Sequence, residues 1–491
     1  MVKKLILILV VWSCFSQSVF AVEKLPYITY NYNYRQDIVY TPAAYVPDGH
    51  ISGLAAGVGD FKSPQGLCAD EDGFVYVADT GNNRVVILAP NMNRTVDIIA
   101  EFDNGGRGDK LNAPTGVYVS ASGKLYVADT NNKRVIAFSN DFTKPREVVQ
   151  VIENPKSDIL GDGFSFAPMK IAVDDADRVY CISRGAFQGL LLFESTGEFV
   201  GYYGTINVNI SVREKFWRFV ATKREAKNQQ LFIPTEFTGI DVDSDGFVYA
   251  SHLPTNTRGI SPQSVRRLNP RGEDIIKKGI NGNLGGDLQL GSGPSNFVDI
   301  CVRGKGIYSV IDSRRGRVFT YDSEGNLLYI FGGLGSQAGT FKIPVAIAEQ
   351  TGRFEERLLI LDSARAEIEV FRPTEYGRLI NEAVALRYDG NEELAITRWR
   401  NVLKYNENFE LANTGIGKSY LSAGDNKQAM HYLRLGMSRE YYSTAFRRYR
   451  NELLESSMAM IFTAAIGLIL FLAVRRALHP KQEDEFDTWS E

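Results

Sequence analysis

One phrase recurs six times along this chain, and it constrains the fold more than any other feature. Each copy has a leading proline, a short apolar strand, an acidic or glycine-containing turn, a second strand, a polar loop and a third strand. The copies begin at Pro64, Pro114, Pro168, Pro234, Pro294 and Pro344. Short alternating strands with a regular period of this length are typical of small antiparallel sheets arranged in a ring. The sequence therefore predicts an all-β, six-bladed β-propeller.

The two clearest copies share a motif that resembles a known family. The first is Val77-Ala-Asp79-Thr-Gly-Asn-Asn-Arg84-Val, and the second is Val127-Ala-Asp129-Thr-Asn-Asn-Lys-Arg134-Val. They are similar to the NHL repeat, whose signature is Val-Ala-Asp-x-x-Asn-x-Arg-Val. The resemblance covers roughly positions 50–372 and implies a propeller of the NHL type.

The later copies depart from this motif. Asp312 and Arg317 keep the motif in the fifth copy, whereas the sixth keeps Asp362 but has Glu367 in place of the arginine. Ser183 and His252 replace the aspartate in the third and fourth copies. Because of these differences, we do not expect all six blades to bind a ligand through the same motif residues.

The ring is expected to close with a strand from the N-terminal side. The sixth copy has no fourth strand of its own after Phe371, while a glycine-rich outer-strand phrase, 51–64, stands alone before the first copy. We expect the Ile51 segment to complete the last blade, which would remove two exposed sheet edges.

The repeated Asp and Arg residues are predicted to be structural. A carboxylate in a loop between the second and third strands can accept hydrogen bonds from turn amides and pair with the arginine five positions later. This interpretation covers Asp79, Arg84, Asp129, Arg134, Asp312, Arg317 and Asp362. The same rim is where a propeller can present binding loops, so a polar surface for sugars or peptides is the alternative. Its candidate ligand-binding residues are Asn82, Asn83, Asn131, Asn132 and His252.

Signals for catalysis or metal binding are weak. The segment Asp241–Gly246 begins like a calcium loop but has His252 at the twelfth position, so we interpret it as a turn between strands. Only one of the four histidines lies securely in the blades, which excludes a three-histidine zinc site. No cofactor and no catalytic residue is predicted. A divalent metal in a propeller distantly similar to gluconolactonases stays open as an alternative.

The two ends of the chain have different hydrophobic segments. Lys3 and Lys4 precede an apolar stretch, and 1–21 is predicted to be a cleaved secretory signal. Near the other end, the uncharged stretch 456–474 is followed by Arg475 and Arg476 and is predicted to be a transmembrane helix.

The chain has 55 basic and 58 acidic residues, so its charge gives no support for nucleic-acid binding. Cys68, Cys181 and Cys301 fall in different blades and are expected to be unpaired, which favours a bacterial envelope.

Between the propeller and the predicted anchor, the pattern becomes helical. The segment 383–402 is matched by 417–436, with small residues at equivalent positions, and the offset between the two equals the length of a tetratricopeptide repeat. This resembles tandem tetratricopeptide repeats, with a third helix expected over 440–455. Two functions are possible for these helical repeats: a rigid spacer, or a groove that binds a partner peptide.

An insertion at 205–233 contains a short basic amphipathic segment, expected either to pack over a blade or to contact a lipid or partner.

The predicted organisation has six segments. These are a signal peptide (1–21), an N-terminal segment (22–44), a six-bladed NHL propeller (45–373), a small all-α tetratricopeptide-like stack (379–455), a transmembrane helix (456–474) and a cytoplasmic tail (475–491). We expect a single-pass plasma-membrane protein of a bacterial cell, with the propeller and helices outside. The leading function is recognition or scaffolding that binds a partner protein or an extracellular glycan, with a place beside a transporter as one setting. A gluconolactonase-like hydrolase and a sensor ectodomain are the alternatives.

Overall fold

The structure, a computed structural model, describes residues 25–143, 146–160, 163–205, 236–253, 264–278, 284, 286–287, 293–352 and 356–478. Contacts divide the chain into two compact units, Met1–Arg378 and Leu379–Glu491. We call them the propeller unit and the helical unit and describe each by itself. The predicted signal peptide, positions 206–233 of the insertion and positions 479–491 of the tail lie outside the described residues.

The propeller unit contains a short N-terminal hairpin followed by six antiparallel sheets. The hairpin and the strand after it are β1 (Tyr30–Tyr32), β2 (Ile38–Tyr40) and β3 (Tyr45–Ser52). Blade 1 consists of β4 (Gly66–Ala69), β5 (Val75–Asp79), β6 (Arg84–Leu88) and β7 (Thr95–Ile99), and a small hairpin, β8 (Glu101–Asp103) and β9 (Gly108–Lys110), follows it. Blade 2 consists of β10 (Pro114–Val119), β11 (Lys124–Asp129), β12 (Arg134–Ser139) and β13 (Val148–Ile152).

The remaining blades follow the same order. Blade 3 consists of β14 (Pro168–Val173), β15 (Val179–Ser183), β16 (Leu190–Phe193) and β17 (Phe199–Tyr203). The described residues of blade 4 form β18 (Phe237–Val242), β19 (Val248–His252) and β20 (Val265–Leu268). Blade 5 consists of β21 (Phe297–Val302), β22 (Tyr308–Asp312), β23 (Arg317–Tyr321) and β24 (Leu327–Phe331). Blade 6 consists of β25 (Pro344–Gln350), β26 (Arg357–Asp362), β27 (Glu367–Pro373) and β3.

The second strand of each blade has apolar side chains on both faces, because a neighbouring blade packs against each face. In blade 1, Val77 packs with Leu359 and Leu361 of blade 6, while the neighbouring Tyr76 packs with Leu125 and other apolar residues of blade 2. Strands buried on both faces lose the alternation of apolar and polar residues that marks a half-exposed strand. The packing of blade 1 against blade 6 also shows that the ring is closed.

The ring closes by the strand exchange that the sequence predicts. Strand β3 pairs antiparallel with β27, with Ile51 opposite Ile368 and Tyr45 opposite Pro373. The strand begins well before Ile51, at Tyr45, which is fully buried. The N-terminal part of the propeller therefore supplies the outer strand of the last blade, and two sheet edges are paired with each other.

The helical unit is built from antiparallel helices that approach closely at small residues. The helices are α1 (Glu375–Tyr388), α2 (Glu392–Tyr405), α3 (Glu410–Ser422), α4 (Asn426–Leu435) and α5 (Arg439–Leu478). A Cβ on Gly415 would lie 2.5 Å from Nε1 of Trp399, and one on Gly417 would lie 2.6 Å from Cγ of Leu433. Glycine is needed at these two positions because the backbone of α3 touches side chains of α2 and α4. The assignment to tetratricopeptide repeats stays a prediction.

Helix α5 runs for 40 residues without a break. Its segment Met460–Leu478 has a mean hydropathy of 2.0, is 0% buried, and is long and apolar enough to cross a membrane. The segment overlaps the predicted span 456–474. At 1.5 Å per residue the whole helix is about 60 Å long.

Candidate functional site

A buried carboxylate holds the loop between the second and third strands of blade 1. Asp79 is 0% exposed, and its Oδ1 accepts a hydrogen bond from the backbone N of Lys62 at 2.7 Å. Its Oδ2 accepts from Nε of Arg84 at 2.7 Å and from Nδ2 of Asn82 at 2.8 Å. Because Lys62 lies in the segment that leads into β4, the carboxylate joins this loop to the beginning of its own blade. A buried carboxylate requires such partners to offset the loss of hydration.

Blade 2 repeats this arrangement. Asp129 accepts from the backbone N of Asn112 at 2.7 Å, from Nε of Arg134 at 2.9 Å and from Nδ2 of Asn132 at 2.8 Å. In blade 6, Asp362 accepts from the backbone N of Lys342 at 2.6 Å. The structure thus has the predicted pair of aspartate and arginine in blades 1 and 2.

The predicted pairing of Asp312 with Arg317 is wrong. Asp312 accepts from the backbone N of Asn296 at 2.8 Å, and its arginine partner is Arg315 at 3.4 Å. Arg317 instead donates to Asp287 and to the hydroxyl oxygen of Tyr30. The physical reason is competition, since β1 brings Tyr30 to the buried Asp287, and together they offer the guanidinium of Arg317 a carboxylate oxygen and a hydroxyl oxygen.

The four candidate asparagines are exposed, but their side chains bond to neighbouring loops. Nδ2 of Asn82 also donates to the carbonyl of Asp60 at 3.0 Å, and Nδ2 of Asn132 donates to the carbonyl of Lys110 at 2.9 Å. Oδ1 of Asn83 accepts from the backbone N of Ala113 at 2.7 Å. Nδ2 of Asn131 donates to Oδ1 of Asn112 at 3.3 Å. Ligand binding by these asparagines stays a prediction.

His252 lies beneath the rim. It is 1% exposed, and its Nδ1 is 2.9 Å from the carbonyl oxygen of Leu253. Burial lowers the pKa of His252 to about 4, so the ring is neutral at physiological pH. Nδ1 then carries the proton and donates to Leu253. A ligand role for His252 would require the rim to open, and it too stays a prediction.

The calcium-like segment in blade 4 is a turn. Oδ1 of Asp243 accepts from the backbone N of Asp245 at 3.0 Å and of Phe247 at 2.8 Å. Gly246 has φ +78°, which suits glycine at the end of such a turn. Asp241 takes no part in the turn, because its side chain lies in the channel at the centre of the ring. Among the described residues, no three of the His, Cys, Asp and Glu side chains are placed to hold a metal ion.

The first strands of all six blades surround a channel cavity of about 230 Å³. Their register against the second strands places side chains in layers across the channel. One layer, which we call the loop-side layer, contains Gly66, Gly116, Lys170, Gly239, Asp299 and Ala346. Two positions further along each strand, the turn-side layer contains Cys68, Tyr118, Ala172, Asp241, Cys301 and Ala348. This spacing corresponds to about 7 Å along the strands.

An ion pair crosses the loop-side layer. Nζ of Lys170 in blade 3 lies 2.8 Å from Oδ1 of Asp299 in blade 5 and donates to the carbonyl of Val345 in blade 6 at 3.2 Å. The glycines of this layer let adjacent first strands approach closely, since a Cβ on Gly116 would lie 2.6 Å from the carbonyl oxygen of Met169 and one on Gly239 would lie 2.5 Å from Cα of Asp299. At the opposite end of the channel wall, Glu349 pairs with Arg303 at 3.0 Å.

Asp241 differs from these two carboxylates because it has no ion pair with any described residue. Its oxygens accept from the backbone N of Val302 at 2.7 Å and of Val242 at 2.9 Å. Burial, reinforced by the charges of Asp299 and Glu349, raises the pKa of Asp241 to about 7. Burial also raises the pKa of Glu349 to about 7, although Arg303 opposes the shift.

The thiols and the phenol of the turn-side layer are uncharged. Burial, followed by the charge of Asp70, raises the pKa of the Cys68 thiol, while burial and the charges of Asp241 and Glu349 raise the pKa of Cys301. Burial and the charge of Asp241 likewise raise the pKa of Tyr118. Cys68, Cys181 and Cys301 are free cysteines, as the sequence predicts, and the first and last behave as polarizable, non-nucleophilic wall groups.

A second cavity, of about 550 Å³, lies over the end of the channel and shares Ala69, Tyr118, Val119 and Val242 with it. We call it the vestibule. It is lined by turns between first and second strands and by residues 140–143 between the third and fourth strands of blade 2, so it opens on the face opposite to the Asp79 and Asp129 loops, because consecutive antiparallel strands run in opposite directions. Its charged lining residues, all of them acidic among those described, are Asp70, Glu71, Asp72, Asp141, Asp175 and Asp243.

No sequence motif marks this site. The sequence predicts a turn at Asp241 and assigns no role to Lys170, Asp299 or Glu349. A usable signal exists, since each is a charged residue in an otherwise apolar first strand. Aligning the six copies by the aspartate position would have put Lys170 and Asp299 in one layer.

Comparison with known proteins identifies the repeat. The NHL repeat matches residues 61–88 and 111–138, which cover the first three strands of blades 1 and 2 except for Ser139. A search of curated protein sequences finds no match. Solved structures with similar folds include a streptogramin B lyase, with 11% identity over 68% of this chain and 100% of that chain and a TM-score of 0.39.

Two further structures are similar to the same degree. A PQQ-bound aldose sugar dehydrogenase from Streptomyces coelicolor has 13% identity over 68% of this chain and 99% of that chain, with a TM-score of 0.40. A protein described as a putative gluconolactonase has 12% identity over 71% of this chain and 98% of that chain, also with a TM-score of 0.40. At these identities and scores, the similarities give no information about a ligand or an activity of this chain.

Proposed function

We propose that this protein is a membrane-anchored recognition protein. Its propeller binds a partner protein or an extracellular glycan, and the helical unit connects the propeller to the anchor. The propeller and the helices lie outside the plasma membrane of a bacterial cell, and the C-terminus lies in the cytoplasm.

Helix α5 is the observation that carries this proposal. Its first part packs on α4 through Tyr441, Tyr442 and Ala445, whereas Met460–Leu478 is apolar and 0% buried within the chain. An apolar helical surface of this length is costly in water and suited to a hydrocarbon layer. The same helix therefore links a folded domain to a lipid bilayer, which is the arrangement expected of a displayed binding protein.

The hydrogen bonds of the ring favour recognition over catalysis. The repeated carboxylates Asp79 and Asp129 are engaged with arginines and loop amides, and Lys170 and Glu349 in the channel are engaged in ion pairs. Such groups hold a rigid frame, and a rigid frame that presents loops and a cavity is suited to binding. No observation on the described residues favours a lactonase, so that activity stays an untested alternative.

Membrane attachment can be tested by fractionating cells that express the full chain. Substituting Ile466→Arg and Leu470→Arg places two charges in the exposed apolar segment, and each costs about 2.5–3.5 kcal/mol in a membrane-spanning helix. We expect the wild type to stay in the membrane pellet after alkaline carbonate extraction and the double variant to be released. The matched control is Ser443→Arg with Asn451→Arg, at exposed positions outside the apolar segment, and it should stay in the pellet.

Recognition can be tested with the same full-length chain, purified in detergent micelles and immobilised. A panel of glycans and candidate envelope proteins should include a specific binder, and lactone hydrolysis with added divalent metal should stay at background. Chelator-sensitive lactone turnover by wild type would refute the recognition proposal in favour of the hydrolase. Release of the wild type by carbonate would refute the membrane anchor.

A further inference from the structure

We propose that the channel and vestibule bind a small organic cation, an ammonium or guanidinium group, with Asp241 as its counter-ion. This inference rests on the proposed recognition function and deepens it by naming the chemistry of a ligand. The site lies on the face opposite to the Asp79 and Asp129 loops.

Among the described residues, the channel lining contains three carboxylates, Asp241, Asp299 and Glu349, and one cation, Lys170. Lys170 pairs with Asp299 at 2.8 Å, while Glu349 pairs at 3.0 Å with Arg303, which lies outside the lining and also pairs with Glu356. Asp241 has only the backbone N–H groups of its neighbours as partners within the described residues. Asp241 is half-buried, and a carboxylate that loses part of its hydration without gaining a counter-ion is unfavourable, so the site favours uptake of a proton or a cation.

The position of Asp241 puts it on the vestibule side of an ion pair. Lys170 and Asp299 form that pair across the loop-side layer, where Lys170 also donates to the carbonyl of Val345. Asp241 lies about 7 Å from that layer, on the side of the vestibule. It shares the turn-side layer with Tyr118, which lines both cavities. A ligand that passes from the vestibule into the channel therefore moves along Tyr118 toward Asp241.

The vestibule is suited to attract a cation. The side chains of Glu71, Asp72 and Asp175 are exposed there and have no ion pair with a described residue. Clefts lined by one sign of charge raise the local concentration of oppositely charged ligands. The guanidinium of Arg146, which lies 5.7 Å from the ring of Phe142 at the vestibule, is held by Asp97 at 2.8 Å.

The walls favour an organic cation over a metal ion. Phe74, Tyr118 and Phe142 line the vestibule, and aromatic faces attract ammonium and guanidinium groups. Calcium needs six to eight oxygen ligands, whereas the described residues offer no cluster of three ligands for a metal. The channel cavity of about 230 Å³ is smaller than the roughly 300–1,000 Å³ of sites for drug-sized ligands. It therefore admits one side-chain-sized group, which can belong to a free amine or to a lysine or arginine of a protein.

The test is calorimetric titration of the full chain in detergent micelles with three probes: cadaverine, a blocked lysine-containing tripeptide, and calcium chloride. We expect cadaverine or the tripeptide to bind and calcium not to bind, and the tighter of the two organic probes identifies the source of the cation. Substituting Asp241→Asn should weaken binding by at least roughly 30-fold, the cost of losing one partner of a desolvated ion pair. Asp245→Asn, an equal charge change at an exposed position of the same blade-4 turn, should leave the affinity unchanged.

Affinity should also rise with pH. Asp241 faces the titratable groups Asp299, Glu349, Lys170, Tyr118, Cys68 and Cys301 in the channel. Since the pKa of Asp241 is raised to about 7, the carboxylate is mostly protonated at pH 6 and mostly ionised at pH 8, so the affinity should increase by roughly fivefold to tenfold. Glu349 titrates in the same range and changes the affinity in the same direction. The ammonium of cadaverine stays protonated throughout.

A second variant keeps the test decisive if Asp241→Asn does not fold. The exposed substitutions Glu71→Gln, Asp72→Asn and Asp175→Asn together should weaken binding and reduce its dependence on salt. Three results would overturn the proposal: no binding of either organic cation, binding of calcium that depends on Asp241, or organic-cation binding unaffected by Asp241→Asn in a folded protein. Membrane attachment does not depend on Asp241, so carbonate extraction of the same variants separates failure of this inference from failure of the anchor.

Discussion

Ring closure by β3 has a consequence for the stability of the whole propeller, and Tyr45 is the residue that tests it. Its ring is fully buried and stacks on Phe331 with centroids 5.1 Å apart. Its hydroxyl donates to Glu356 and accepts from the buried Arg303. Substituting Tyr45→Ala removes the stacking and the hydroxyl together, and such truncation of a buried aromatic residue costs about 3–5 kcal/mol.

The expected shift in melting temperature follows from the size of the unit. Unfolding entropy is about 2.1 cal/mol/K per residue, or about 0.7 kcal/mol/K for a propeller of roughly 330 residues. A loss of about 3–5 kcal/mol therefore lowers the melting temperature by about 4–7 °C. Near-ultraviolet circular dichroism of the tyrosines during thermal unfolding measures this shift. Tyr45→Phe keeps the stacking and should cost less, about 1–3 kcal/mol, from the lost hydrogen bonds to charged partners.

The closure argument also predicts where the protein loosens. If β3 holds the ring together, Tyr45→Ala should lower hydrogen-exchange protection in blades 1 and 3 as well as in blade 6. The control is Tyr40→Ala, a side chain that is 72% exposed on the N-terminal hairpin and should change stability by less than about 0.5 kcal/mol. An unchanged melting temperature, or lost protection confined to β3 and β27, would refute the reasoning.

Three further results are expected. Asp129→Ala should cost about 2–4 kcal/mol in chemical denaturation, because the backbone N–H of Asn112 and the side chain of Asn132 lose their buried acceptor while Arg134 keeps its pair with Asp109, whereas Asn132→Ala should cost under about 1 kcal/mol; equal costs would contradict a structural role for the aspartate. A cytoplasm-specific reporter fused after Glu491 and an export-specific reporter fused after Pro373 should both be active, and a silent C-terminal fusion would reverse the proposed orientation. Since burial raises the pKa of Asp241 to about 7, the folded protein binds more protons than the unfolded chain between about pH 4 and pH 7, so wild-type stability should fall as pH rises through this window; Asp241→Asn should reduce the fall, and identical pH profiles would contradict the shifted pKa.

The repeat could be predicted from the sequence because the strands of each blade are close together along the chain. Three of its strands and the loops between them lie in one short stretch of chain, as in 114–139, so the apolar strands, the turn glycines and the spacing of Asp129 and Arg134 appear together in the sequence. Closure by the Ile51 segment was also predictable. The chain has one outer strand without a blade and one blade without an outer strand, and pairing the two leaves neither edge exposed. Local pattern thus carried the prediction of a six-bladed ring.

The hydrogen-bond partners of residues at the same motif position in different blades could not be predicted from the sequence. Arg317 occupies the motif position of Arg84, yet it bonds Asp287 and Tyr30, because the N-terminal hairpin arrives from the opposite end of the propeller sequence. His252 stands at the motif position of Asp79 and is buried with a depressed pKa, which depends on what packs around it. Both outcomes are decided by competition among groups that the local sequence does not bring together.

The sequence by itself determined the blades, their order and the apolar segment near the C-terminus, since strand periodicity, turn chemistry and hydropathy are properties of neighbouring residues. The tertiary structure alone decided the channel. Lys170 and Asp299 belong to blades 3 and 5, far apart in the chain, and become an ion pair only when six first strands converge on one axis. That convergence also leaves Asp241 among other carboxylates without a cation of its own within the described residues, because the charge balance of a buried site is set by which side chains the closed ring places around it.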